Sequence, residues 1–183
     1  MSFSIFIFLI ITFLFGGFAS DISREMTTSV FHVPFLSELS PDFKTITFLS
    51  QDQTRTSSFQ VEVADSLTSR EKGLMYRSSI AKYHGMIFLF SDEKPRSFWM
   101  KNTRIPLDMI FVAENGKVVH IEHGAQSCDE SITSSCPLYS SGAMAKYVVE
   151  LSVGESAKFD IEEGDQLVFP YLSWKNYSFE FVQ

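Results

Sequence analysis

Cysteine is almost missing from this 183-residue chain: Cys128 and Cys136 are the only two. Their C-x7-C spacing is not that of a CxxC redox pair, and a metal site would need more ligands close by. Catalytic signatures are missing as well, since no GxSxG, HExxH or Cys–His pattern occurs. Basic residues are outnumbered, 15 Lys and Arg against 22 Asp and Glu, for a net charge of −7. That balance argues against a nucleic-acid-binding surface, although Arg96, Lys101 and Arg104 can still form a local basic patch. No second long apolar run follows the N-terminal one, so a membrane is met only through that first segment, if it is uncleaved. There are no internal repeats and no low-complexity tract.

What the chain does have is apolar residues. Hydrophobic side chains make up 45% and aromatics 15%, enough for a packed core, and the length suits one domain. The first twenty residues, MSFSIFIFLIITFLFGGFAS, carry no charged side chain. Gly17 and Ala19 place small residues before a cut ahead of Ser20, so residues 1–19 read as a signal peptide. A retained anchor over residues 3–19 is the competing reading. Both put the rest of the chain outside the cytoplasm, in the periplasm or secreted. In an oxidising compartment Cys128 and Cys136 read as a disulfide closing a small loop, with a stabilisation of roughly 2.5 kcal/mol.

Residues 20–43, interrupted by Pro34 and Pro41, read as a linker to a single domain over 44–183. Lys44–Ser50 and Ser57–Ala64 are strand patterns, the second with Phe59, Val61 and Val63 on one face and Gln60 and Glu62 on the other. DSLTSREKGLMYR is the one helix pattern, with Ser66 at its N-cap and Gly73 near its end. MIFLF, Ser97–Met100 and Leu107–Ala113 then read as strands. Asn115-Gly116 between apolar runs predicts a hairpin whose two central residues take positive φ. Lys146–Leu151, Ala157–Ile161, Gln166–Pro170 and Tyr177–Val182 complete the strand set. Many short strands separated by turns predict a mainly β domain, a compact sandwich, jelly-roll-like or barrel-like fold with one short helix.

One stretch, PRSFWMKNTRIPLDMIFV from Pro95 to Val112, gathers charge inside an apolar frame. Arg96, Trp99, Lys101, Asn102 and Asp108 are its candidate ligand-binding residues. A Lys beside a Trp ring with an Arg nearby can hold a small polar or anionic ligand. They can equally clamp a corner, with Asn102 and Thr103 capping the bend and Asp108 paired to Arg96 or Lys101. An enzyme using Asp108 with Lys101 or Arg96 is a further alternative, and a purely structural envelope protein another. Asp65, Glu150 and Asp165 are the other acids of interest. Their simpler readings are a helix N-terminus, an outward strand face and a Gly-Asp turn. Met75, Met86, Met100 and Met109 offer thioethers to Cu(I), although methionine is also a common core filler. His84, His120 and His123 lie outside the distinctive stretch. No catalytic residue, cofactor or metal ligand is assigned.

Taken in order, VEVADSLTSREKGLMYR, GMIFLF, PRSFWMKNTRIPLDMIFV, CPLY, YVVELSVGE and IEEGDQLVF closely resemble the bacterial and archaeal family called domain of unknown function 192. The likeness covers about Phe59 to Phe169. It implies a commonly exported, compact, mainly β domain with a short helix, and brings no activity, substrate or cofactor with it. Arg104 stands where relatives usually carry an uncharged residue. The function expected is that of a non-catalytic binding or accessory module.

Overall fold

Phe88 and Phe98 are ten positions apart in one strand, which would separate them by about 33 Å in a straight chain, yet their ring centroids are 5.0 Å apart. That strand folds back over its own sheet, and the architecture follows from it. The computed structural model describes residues 43–129 and 135–169. The leader or anchor, the linker, Pro170 and the strand expected at Tyr177–Val182 lie outside the described residues.

The elements in chain order are β1 (Lys44–Leu49), β2 (Thr56–Ala64), α1 (Leu67–Lys72), β3 (His84–Trp99), β4 (Leu107–Val112), β5 (Val118–Ala125), β6 (Leu138–Ser152), α2 (Glu155–Lys158) and β7 (Gln166–Val168). They build one seven-stranded sheet in the order β5-β4-β6-β3-β2-β1-β7. Among these strands only β2 and β3 pair in parallel, through a crossover that carries α1. The sheet curls until its two edges meet. Lys117 bridges Gln166, and the Val118 and Leu167 amides donate to the carbonyls of Asp165 and Gly116, both at 2.8 Å. The domain is therefore mainly β and barrel-like, as its strand pattern implies.

Alternation along the strands makes two cores, one on each face. Inside the curl lie Phe48, Phe59, Val61, Ile87, Ile110 and Val149 with their neighbours. On the outer face lie Met86, Phe88, Met109, Phe111 and Val148. An apolar outer face needs a cover, and the chain supplies it from the far half of β3. The β3–β6 register shifts between Leu89 and Lys94 and again between Pro95 and Ser97, so bulges bend the ribbon there. Residues 94–99 then lie over the sheet, paired with the first half of β6. Phe98 packs edge-on against Phe88, Phe90 and Phe111, and Met100 is fully buried in the same core.

Ser66 is the N-cap expected, and it forms a capping box with Ser69: the Ser66 side chain accepts from the Ser69 amide, and the Ser69 hydroxyl accepts from the Ser66 amide. The Asn115-Gly116 hairpin is present too, with a difference. Its loop spans five residues, and only Gly116 has positive φ, at 85°. Asn115 instead turns the chain through its side chain, which accepts from the Lys117 amide at 3.0 Å.

Two expectations are corrected. The strands expected at MIFLF and Ser97–Met100 belong to one bent strand, β3. The strand expected at Ala157–Ile161 is replaced by the short helix α2, giving two helices among the described residues rather than one. Asp108 is the physical reason: its carboxylate accepts from the Ser156 amide at 3.0 Å and the Ser156 hydroxyl at 2.6 Å, fixing the first turn.

Candidate functional site

The folded-back ribbon does not lie flush on the sheet. Between it, the α1 segment and the outer face is a cavity of about 250 Å³. Arg70, Lys72, Leu74 and Met75 line it from the α1 side, Phe88, Phe90, Phe98 and Trp99 from β3, and Thr103 and Glu150 complete it.

Glu150 is the unusual member. Its residue is 4% exposed, and its carboxyl lines the cavity with no hydrogen bond to a described residue shifting it. The fully buried side-chain oxygen without a partner among the described residues is Glu155 Oε2. Sheet register explains the surroundings of Glu150: it stands directly between Met86 on β3 and Met109 on β6's other neighbour, β4, and shares their outer face. Burial in that apolar setting pushes its carboxyl from the ordinary 4.5 up to about 8. At neutral pH it is a protonated, uncharged hydrogen-bond donor. Buried polar groups are paired in the large majority of cases, so an unpaired one facing a cavity marks a site.

The rim is charged and aromatic, with Glu71 between Arg70 and Lys72. The Arg70 guanidinium stacks on Phe90 at 5.1 Å and donates to the carbonyl oxygens of Asp65 and Leu89 at 2.6 and 3.0 Å. Trp99 is half exposed at the mouth, and the Lys101 ammonium lies 5.1 Å from its ring.

The residues singled out in the sequence are divided among different tasks. Trp99 walls the cavity and Lys101 stacks on it. Arg96 is held at the ribbon's bend: it stacks on Phe90 at 3.9 Å, donates to Asp92 Oδ1 at 2.6 Å and to the Ala145 carbonyl at 3.1 Å, and also reaches the Asp92 carbonyl. Asp108 pairs with neither Arg96 nor Lys101, contrary to the clamp expected. It holds α2 and accepts from the Gly124 amide at 3.0 Å. Asn102 leaves the ribbon with φ of 52° and donates to the Tyr76 hydroxyl at 3.1 Å. Arg104 is exposed and lines a separate cavity of about 280 Å³ with Tyr76, Asn102 and Asp129. Cys128 and Cys136 are joined in a disulfide. Among the described residues no three His, Cys, Asp or Glu side chains are grouped to hold a metal ion, and no helix is long and apolar enough to cross a membrane.

Glu150 was legible as an outer-face residue but not as a buried one. The signal was on its neighbours. Met86, Phe88, Met109 and Phe111 are apolar on the same face, and central strands that are apolar on both faces are covered on both.

Mainly β, with a curled sheet and a second core sealed by its own bent strand, this architecture recurs in solved structures. A protein of Sinorhizobium meliloti 1021, provisionally described as a transcription regulator, is 34% identical, with 72% of this chain and 96% of that one covered and a TM-score of 0.64. A protein of unknown function from Novosphingobium aromaticivorans DSM 12444 is 28% identical, over 69% and 85% of the two chains, at a TM-score of 0.62. No curated protein matches. The family model for domain of unknown function 192, described as an uncharacterised ACR, matches residues 48–169, and the chain belongs to that family.

Proposed function

We propose that the domain is an exported, non-catalytic binding module that takes a small polar or anionic ligand into the cavity over Glu150. The observation that carries this reading is the carboxyl itself: buried, with no hydrogen bond to a described residue shifting it, and facing a space walled by aromatic rings. As a neutral acid Glu150 donates to a ligand oxygen, a carboxylate included, while Arg70 and Lys72 supply positive charge at the mouth. Phe98 and Trp99 receive the apolar part of the ligand. The uncharged, apolar N-terminal stretch and the Cys128–Cys136 disulfide support an extracytoplasmic address.

The test is a thermal-shift screen of the oxidised protein against sugars, nucleotides and organic acids, repeated on Glu150→Met. Binding raises the midpoint by mass action. A compound that stabilises the parent and not the variant is the expected result. Compounds that stabilise both equally, or none at all, would overturn Glu150 as the ligand-binding group of this reading.

A further inference from the structure

We propose that the second cavity, walled by Tyr76, Asn102, Arg104, Ser127 and Asp129, binds an acidic sugar: a pyranose ring that carries one carboxylate. This goes beyond the small-ligand reading, since it concerns a different cavity and needs neither Glu150 nor the aromatic rings around it.

Three connections converge to build the site. Tyr76 follows α1, Asn102 and Arg104 lie between β3 and β4, and Ser127 and Asp129 follow β5. Backbone contacts tie them together. The Tyr76 amide donates to the Asn102 carbonyl at 2.8 Å, and the Cys128 amide to the Met100 carbonyl at 3.2 Å. Cys128 also bridges Lys101 and Thr103, and its disulfide to Cys136 fastens that wall covalently. Tyr76 and Asn102 both hold positive φ, at 64° and 52°. L side chains rarely adopt such a conformation, and it persists only where the surroundings impose it. The hydrogen bond from Asn102 Nδ2 to the Tyr76 hydroxyl holds the two side chains to one another. The walls of a space of about 280 Å³ are thus set before a ligand arrives, which lowers the ordering cost of binding.

The groups on those walls decide the ligand. Arg104 is exposed, and no described residue hydrogen-bonds or ion-pairs with its guanidinium. That planar fork of donors takes a carboxylate through two parallel hydrogen bonds. Asp129 lines the same cavity, so a dianion such as phosphate meets repulsion there. A single carboxylate accompanied by hydroxyls suits both charges, the carboxylate on Arg104 and a hydroxyl donating to Asp129. Asn102 Oδ1 accepts, and the Ser127 hydroxyl both donates and accepts, which serves further hydroxyls. Tyr76 is 61% exposed, and its ring offers an apolar surface to the C–H face of a sugar. An apolar acid would desolvate Asn102, Ser127 and Asp129 without pairing them, and a neutral sugar would do the same to Arg104.

The experiment is NMR titration of the oxidised ¹⁵N-labelled protein with D-glucuronate and D-galacturonate, each beside its neutral counterpart, glucose or galactose. The expected result is saturable shifts of the Asn102 side-chain amide and the Arg104 Nε–H with at least one uronate. The neutral sugar should bind about tenfold more weakly or worse, and so should the uronate to Arg104→Gln, the scale of one charge-assisted pair. Tyr76→Asn removes the ring but keeps a residue that tolerates positive φ, and it too should weaken binding. Unchanged melting midpoints report that both variants fold. A trimer of the uronate that binds identifies the source: tighter binding assigns the end of an acidic polysaccharide, equal binding a free sugar acid. No saturable binding of either uronate, a neutral sugar that binds as tightly, or Arg104→Gln binding like the parent would overturn the proposal. Uronate binding lost in Glu150→Met and kept in Arg104→Gln would put the ligand over Glu150, so this site falls and the small-ligand reading stands. Binding lost in Arg104→Gln and kept in Glu150→Met supports this site, whatever becomes of that reading.

Discussion

Replacing Glu150 should make the protein more stable, and increasingly so as pH rises. In the unfolded chain its carboxyl titrates near 4.5, while in the fold it titrates near 8. Between those values the folded state holds a proton that the unfolded state has lost, so each rise of one pH unit subtracts about 1.4 kcal/mol from stability. The stabilisation of the protonated form is fully present below 4.5 and lost as pH climbs through 8. At pH 7 the accumulated cost is about 3 kcal/mol, and for a domain of this size the midpoint should fall by roughly 4 °C per pH unit. Glu150→Met places a third thioether between Met86 and Met109 with no charge to desolvate. Asp52 and Asp92, held near 2 chiefly by hydrogen bonds from Ser50 and Lys94, titrate well below this window. Urea titrations of parent and variant at half-unit steps from pH 5 to 8.5 give the difference directly. A parent whose stability runs parallel to that of the variant across the range would refute the reasoning, because the carboxyl would then be solvated in the fold.

Three further outcomes follow from the packing. Asp108→Ala strands the Ser156 and Gly124 amides, and should cost about 3 kcal/mol in chemical denaturation together with loss of amide-exchange protection in α2. Gly85→Ala would put a Cβ 2.4 Å from the Glu150 carbonyl oxygen. It should destabilise by 1–3 kcal/mol or more, read as an earlier urea midpoint, since backbone cannot yield as a side chain does. Cys128→Ser with Cys136→Ser opens a loop of sequence separation 8 and should lower stability by about 2.5 kcal/mol, with no effect of added reductant on the double variant.

Local chemistry was readable from the chain. The Ser66 cap, the Asn115-Gly116 turn and the alternation of Phe59, Val61 and Val63 are decided by neighbours within a few positions, so sequence alone carries them. What it does not carry is contact at long range. Ala157–Ile161 has the composition of a strand, and only Asp108, 48 positions from Ser156, turns it into α2. Glu150 sits in a strand whose alternation points it outward, and outward normally means solvent. It lies on the floor side of a cavity roofed by the far half of β3 and the α1 segment, both distant in sequence. In the same way the charges of Arg96 and Asp108 look like one constellation in the chain, yet each is held by different partners in the fold.

The meeting of β5 with β7 bears on how the molecule behaves in company. An unpaired strand edge is a template onto which another chain can add, the first step towards intermolecular sheets. Here the two outermost strands satisfy one another where Gly116–Val118 faces Asp165–Leu167, and a Cβ at Gly116 would come within 2.2 Å of the Gln166 side chain and 2.8 Å of the Leu167 carbonyl. That closure occupies the backbone hydrogen-bonding groups of the seam itself. A side chain at Gly116 would wedge the seam apart and so convert a hairpin mutation into an aggregation-prone protein.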